Sequence, residues 1–118
     1  MDKKYQISIN ANVITGVMLG HFEYEDAVDL VNERKKLGKG QKVLLLSDIR
    51  KAKSGSKEAK NYLGTEEAAE DVIANAILVN NYTSKMIGNI FLIFQKPAVP
   101  VRLFTSEEKA LDWLTSFK

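Results

Sequence analysis

The chain of 118 residues is 45% hydrophobic and 27% charged with a net charge of +2, values that are typical of one globular domain and exclude a disordered segment. It contains no cysteine, which excludes disulfides, thiolate metal sites and cysteine nucleophiles and fits a reducing cytoplasm. No apolar run approaches the roughly 20 residues that a membrane-spanning helix needs, and no apolar stretch follows the charged start, so we expect a cytoplasmic protein with no membrane span.

The first residues predict a β-hairpin followed by a helix. Tyr5–Ile9 alternate polar and apolar side chains, and Val13–Leu19 are mostly apolar or β-branched, with a short polar connection between the two segments. From Tyr24 the apolar residues recur at helical spacing, in a stripe that also contains Arg34. Gly38 follows this stripe, as is typical of a helix end.

The middle of the chain predicts two buried strands with short helices between them. Val43–Leu46 and Val72–Val79 are nearly continuous apolar runs, typical of strands that are covered on both faces. Between them, Ser56–Leu63 fits a short helix that ends at Gly64. The acids after Thr65 favour a further helical turn, because they lie at its positive end.

The last part of the chain predicts a helix, a strand and a final helix. Ser84–Phe94 is strongly apolar and is predicted to pack as a helix on the sheet. The prolines that follow end this helix and lead into a strand at Val101–Phe104. Thr105 and Glu108 have the spacing of a capping box, which predicts that the final helix begins at Thr105.

The predicted order of elements is ββαβααβαβα, over residues 1–118 as a single domain. Strands that alternate with helices favour right-handed crossovers and a mostly parallel sheet. The predicted fold class is therefore α/β, with a mixed, mostly parallel sheet and the N-terminal hairpin at one edge.

Three stretches of the sequence resemble a known family, the STAS domains of sulphate transporters and anti-sigma-factor antagonists, whose fold is called SpoIIAA-like. These stretches are SDIRKAKSGSKEAKNYL, VNNYTSKMIGNIFL and KPAVPVRLFTSEEKALDWL. They are most similar to a group of small, largely uncharacterised bacterial proteins that are common in Bacteroidetes. The last stretch also resembles the wider STAS/Sec14-like group. The resemblance implies a single STAS/SpoIIAA-like domain over residues 1–118.

The resemblance also implies a candidate regulatory serine. In STAS antagonists a phosphorylated serine lies at the start of the helix after the third strand, and the matching position here is Ser56, with Ser54 as second choice. The family loop has an acid before the serine, whereas this loop has Lys53 and Lys57 around its serines. From the residues alone, Ser56 is also a good helix N-cap, and we favour that structural role over a phosphosite.

The polar residues around this loop have structural and functional interpretations. Asp48 and Arg50 leave the third strand at its carboxyl end, where open parallel sheets often bind ligands, although an ion pair or a turn explains both residues. His21 has no second residue at metal-ligand spacing, so a metal site or a catalytic base is not expected there. The candidate switch or partner loop comprises Asp48, Arg50, Ser54, Ser56 and Lys57.

The segment from Glu33 to Lys60 carries ten cations and three acids, a local balance of +7. Such a surface can bind a phosphate, an acidic protein or a nucleic acid, but a solvated lysine-rich face explains it equally. We favour the solvated face and do not expect a nucleic-acid partner.

These observations lead to two hypotheses of function. The first is a non-enzymatic regulatory or protein-interaction module, related to the anti-sigma-factor antagonists and homodimeric, that engages an unknown protein partner through the loop Asp48–Ser56 and the helix after it. The alternative is a Sec14-like carrier of a small apolar or lipid ligand, because the segment SKMIGNIFLIF is apolar on more than one face. No residues argue for catalysis, a cofactor or a metal, and none is expected.

Overall fold

A five-stranded mixed sheet is the centre of the fold in the computed structural model, which describes residues 3–81, 93 and 97–117. The elements, in chain order, are β1 Tyr5–Asn10, β2 Val13–Met18, β3 Gly20–Phe22, α1 Tyr24–Leu37, β4 Val43–Asp48, β5 Ala52–Gly55, α2 Lys57–Leu63, α3 Glu66–Ala69, β6 Val72–Leu78, β7 Val101–Phe104 and α4 Glu107–Thr115. None of the helices in these residues is long and apolar enough to cross a membrane.

The strand order β1-β2-β4-β6-β7 places the N-terminal hairpin at one edge of the sheet. β1 and β2 pair antiparallel, whereas β2–β4, β4–β6 and β6–β7 pair parallel. Ala11 has a φ of 56°, which is the left-handed conformation that a tight hairpin turn requires. The predicted fold class, a mostly parallel sheet with an antiparallel hairpin at its edge, is confirmed.

The two faces of the sheet are covered by different helices because side chains alternate along each strand. On one face, Leu44 and Leu46 pack against α4, in which Ala110 and Leu114 are both fully buried. Leu45 points to the opposite face. There α1 packs against β1 and α2, and the buried residues of these elements form a second cluster.

Local sequence signals explain most helix ends. Ser56 caps α2 and Gly64 ends it, as the sequence predicts, and the predicted helical turn after Thr65 is α3, which the Thr65 side chain caps. The predicted cap of the final helix was wrong by one residue. The Ser106 hydroxyl, not Thr105, accepts the backbone N–H of Lys109 at 3.3 Å, so α4 begins after Ser106.

Two short strands were not predicted. β3 and β5 pair parallel in a separate two-stranded sheet beside the main one. The predicted helix Ser84–Phe94, apart from Ile93, lies outside the described residues.

Candidate functional site

The carboxyl end of β4 is closed by an ion pair between Asp48 and Arg50. The buried Asp48 carboxylate accepts hydrogen bonds from the Arg50 Nε at 3.0 Å, from an Arg50 terminal nitrogen at 2.8 Å and from the Arg50 backbone N–H at 3.0 Å. These bonds hold the pKa of Asp48 below its ordinary value. The Asn80 side chain also donates to the Arg50 carbonyl at 3.0 Å and ties the end of β6 to the same turn. The ion-pair interpretation of Asp48 and Arg50 is therefore confirmed.

Ser54 lies on β5 in contact with a residue that sequence reasoning treated separately. Its hydroxyl oxygen is 2.6 Å from His21 Nδ1 on β3, and His21 Nε2 is 2.5 Å from Glu23 Oε1. A hydroxyl, an imidazole and a carboxylate thus lie within hydrogen-bonding reach of one another. Such a trio supports nucleophilic catalysis best in a site from which water is excluded. Here the His21 and Glu23 side chains are 49% and 54% exposed, so the trio is in contact with solvent.

Ser56 has a structural role at the start of α2. Its hydroxyl accepts the backbone N–H of Ala59 at 3.1 Å, and its own backbone N–H donates to the Phe22 carbonyl at 2.8 Å. The helix start is therefore attached to the end of β3 as well as capped. The predicted N-cap is confirmed.

Exposed cations lie between and beside the Asp48–Arg50 turn and the Ser56 cap. Lys51, Lys53 and Lys57 are exposed, as is Arg50. We call residues 48–57 the basic loop. Its backbone is held at both ends and in the middle, by the turn at Asp48, the pairing of β5 with β3 and the Ser56 cap, so the lysines extend from an ordered base.

A cavity of about 120 Å³ lies on the face of the sheet opposite α4. Its described lining is mostly apolar and comes from β1, β2, β4, α1, α2, α3, β6, β7 and the segment before β7. The described lining residues are Ile7, Gly16, Met18, Leu30, Arg34, Leu45, Ser47, Ile49, Leu63, Gly64, Thr65, Ala68, Ala69, Val72, Asn75, Ile77, Ile93, Pro97, Ala98, Val99 and Val101.

Two buried polar side chains from neighbouring strands meet in this lining. Ser47 on β4 and Asn75 on β6 are 9% and 7% exposed. The Ser47 hydroxyl donates to Asn75 Oδ1 at 2.8 Å. No described residue accepts a hydrogen bond from the other end of this amide, Nδ2.

The third polar contributor to the lining is Arg34, which is 4% exposed and pairs with the equally buried Asp71. Its Nε and a terminal nitrogen donate to the two carboxylate oxygens of Asp71 at 3.0 and 2.6 Å, and the same terminal nitrogen contacts the Ala68 carbonyl. This two-pronged geometry matches a guanidinium to a carboxylate and satisfies both buried charges.

The sequence places Asn75 and Arg34 correctly in their elements, whereas the predicted strand Val43–Leu46 ends one residue before Ser47, which lies in β4. A cation in the apolar stripe of α1 and an asparagine inside a buried strand are both signals of a buried polar partner. The identity of each partner depends on the fold, because the partners are 37 and 28 residues away in the chain.

Solved structures share this arrangement of sheet and helices. One is an uncharacterised protein of the DUF3478 family with a SpoIIAA-like fold from Shewanella loihica PV-4, with a TM-score of 0.69 and 17% identity, covering 93% of this chain and 91% of that chain. Another is the anti-sigma factor antagonist SpoIIAA in its unphosphorylated form, with a TM-score of 0.64 and 13% identity, covering 94% and 97%. The protein therefore has a SpoIIAA-like fold.

The family follows from the sequence match. The model of a domain of unknown function, DUF7793, matches residues 13–118, so the chain belongs to that family. No curated protein matches the sequence significantly.

Proposed function

We propose that this chain is a single cytoplasmic, non-enzymatic STAS-like module that forms a homodimer and binds an acidic protein partner through the basic loop and α2. The observation that carries the proposal is the set of exposed lysines on an ordered base, held by the Asp48–Arg50 pair, the β3–β5 pairing and the Ser56 cap. The fold shared with an anti-sigma factor antagonist supports a regulatory role of this kind.

The chemistry of the proposed interface is electrostatic. Exposed lysines on an ordered backbone attract an acidic surface, raise the association rate and make binding sensitive to salt. Because little of the lysine side chains needs to be buried, each contact contributes modestly, and the lysines act as a group.

A phosphorylation switch, if the loop carries one, fits Ser54 better than Ser56. Ser54 is exposed, whereas the Ser56 hydroxyl already accepts the N–H of Ala59 and is partly buried. A phosphate on Ser54 would replace the contact with His21 and add negative charge among lysines. It would therefore weaken the attraction for an acidic partner.

The proposal is tested by charge reversal and affinity capture from the native host. Lys51, Lys53 and Lys57 are changed to glutamate together, and the captured proteins are compared with those of wild type by quantitative mass spectrometry. The matched control reverses Lys36, Lys39 and Lys42, three exposed lysines at the opposite end of the sheet. We expect the first variant alone to lose a partner, and the loss to be reproduced by raised salt. An unchanged partner set in the first variant would contradict the proposal.

The cavity supports a second candidate function, a carrier of a small apolar ligand. Its apolar lining and the three buried polar side chains within it are features of small-molecule sites. Native mass spectrometry of the protein purified from its host tests this candidate and the homodimer together. A retained small-molecule mass supports the carrier, and a monomer at all concentrations contradicts the homodimer.

A further inference from the structure

We propose that the cavity selects an uncharged molecule of about six non-hydrogen atoms that carries one hydrogen-bond acceptor, and that Asn75 Nδ2 is the group that recognises this acceptor. The inference rests on the second candidate function and specifies the class of ligand. It follows from three properties of the site, namely its volume, the Nδ2 donor of Asn75 and the neutral charge of the described lining.

The volume limits the ligand to a small ring or a short chain. A protein cavity of about 150 Å³ holds a benzene molecule, so a cavity of about 120 Å³ holds a ligand of similar size. The acyl chain of a membrane lipid is several times larger. The structure therefore favours a small molecule over the lipid tail that the Sec14-like resemblance implies.

The hydrogen-bonding pattern decides which polar group the ligand carries. Asn75 is 7% exposed, and its Oδ1 already accepts the Ser47 hydroxyl at 2.8 Å. The Nδ2 group has no acceptor among the described residues, and Asn75 lines the cavity, so covering this donor with a ligand that lacks an acceptor costs free energy. A carbonyl, ether or hydroxyl oxygen on the ligand would satisfy it, whereas a hydrocarbon of the same shape would leave it unpaired.

The charge of the described lining argues against an anionic ligand. Arg34 lines the cavity, but both carboxylate oxygens of Asp71 accept hydrogen bonds from its guanidinium. The pair is neutral overall, so the described lining residues offer no excess positive charge to a carboxylate or a phosphate. An ionised ligand would lose its hydration without a counter-charge in return.

The test compares two ligands of the same shape. Cyclopentanone and methylenecyclopentane are five-membered rings with one additional atom, an acceptor oxygen in the first and a CH₂ group in the second. Each is titrated into ¹⁵N-labelled full-length protein, and both the affinity and the side-chain amide resonance of Asn75 are followed by NMR. We expect the ketone to bind about tenfold more tightly, and we expect it alone to shift the Asn75 side-chain signal.

Variants assign the preference to the amide. Asn75→Leu removes the donor at similar volume, and we expect the two ligands to bind this variant equally well. Asn61→Leu is the control, because Asn61 is an exposed asparagine on α2 that does not line the described cavity. If Asn75→Leu does not fold, the side-chain amide resonance of Asn75 in the wild-type protein serves as the test. Binding of the ketone without a shift of this resonance would overturn the inference.

The remaining outcomes separate the inference from the carrier function on which it rests. Equal binding of both ligands to wild type overturns the selection by Asn75 but leaves a carrier of apolar molecules standing. Binding of neither ligand, up to the limit of solubility, rejects the carrier function itself and the inference with it. Tighter binding of cyclopropanecarboxylate than of cyclopentanone, which has the same number of non-hydrogen atoms, would show that Arg34 binds an anion and would overturn the neutral-ligand argument.

Discussion

The buried pair Arg34–Asp71 is expected to dominate the stability of the α1–β6 side of the protein. Asp71→Ala leaves a guanidinium that is 4% exposed without its counter-charge. Removal of one partner from such a pair costs about 3–5 kcal/mol. For a domain whose total free energy of unfolding is about 5–15 kcal/mol, this is about a fifth of the total or more. At roughly 4 °C for each kcal/mol, the melting temperature falls by about 12–20 °C.

A double-mutant cycle separates the interaction energy of the pair from the effect of replacing each side chain alone. Arg34→Met and Asp71→Leu are measured singly and together by urea unfolding. We expect each single change to be severe and the double variant to lie within about 2 kcal/mol of wild type, because it leaves no buried charge. The resulting coupling energy should exceed about 2 kcal/mol and change little with salt.

The chain neighbours of Arg34 and Asp71 provide a matched control. Lys35 and Glu70 pair at 2.6 Å between the same two segments, but their side chains are 27% and 64% exposed. The corresponding cycle, with Lys35→Met and Glu70→Leu, should give a coupling of about 0.5 kcal/mol that falls as salt is added. Equal coupling energies in the two cycles would refute the argument from burial. The closest nitrogen–oxygen distance is 2.6 Å in both pairs, and the pairs differ strongly in exposure.

The other predictions concern the two serines of the basic loop and the loss of stability at low and at high pH. Ser56→Ala should lower the free energy of unfolding by about 1 kcal/mol, because the Ser56 side chain caps α2. Ser54→Ala should lower it by less than about 0.5 kcal/mol, because Ser54 caps none of the described helices. Equal losses of the two variants in chemical denaturation would contradict this assignment. The hydrogen bonds from Arg50 hold the pKa of Asp48 below its unfolded value, so this pair stabilises the fold above that unfolded value, about pH 4, and the stability is lost as pH falls through the lower folded pKa. Asp48→Asn should therefore flatten the fall in stability below about pH 4, and an unchanged acid limb would argue against it. Burial raises the pKa of Tyr5 to about 12, above the value of about 10 in the unfolded chain. The stability that Tyr5 contributes to the fold is therefore complete below about pH 10 and is lost as the pH rises toward the folded pKa. Absorbance of the tyrosinate should show a late transition that Tyr5→Phe removes, and its persistence in this variant would assign it elsewhere.

Local patterns were sufficient to predict the main elements. The hairpin and α1 have clear periodicity, β4 and β6 contain nearly continuous apolar runs, and the sheet topology follows from the alternation of strands and helices. The Ser56 cap was also predictable, because the signal is a single residue next to the helix it serves. By contrast, β3 and β5 have three and four residues, too few for a periodic pattern, and they form only because they pair with each other.

The candidate site was predictable in its parts and not in its contacts. The ion pair of Asp48 with Arg50 spans two residues and follows from the sequence, whereas the contact of His21 with Ser54 spans 33 residues. The amide of Asn75 reaches the cavity only because β4 and β6 are neighbours in the sheet. The capping-box spacing favoured Thr105 because Glu108 follows three residues later, whereas in the structure Ser106 has the extended cap conformation and accepts the backbone N–H of Lys109.

The position of α4 in the chain has a consequence for synthesis of the protein. Every strand of the sheet precedes this helix, yet Ala110 and Leu114 cover the face that carries Leu44 and Leu46. While the ribosome is still extending the chain, the parallel strands can begin to pair with one apolar face open to water. Chaperones that hold nascent chains recognise such a surface, and neighbouring nascent chains can aggregate through it. Completion of this short helix thus determines when the newly made protein becomes safe from aggregation.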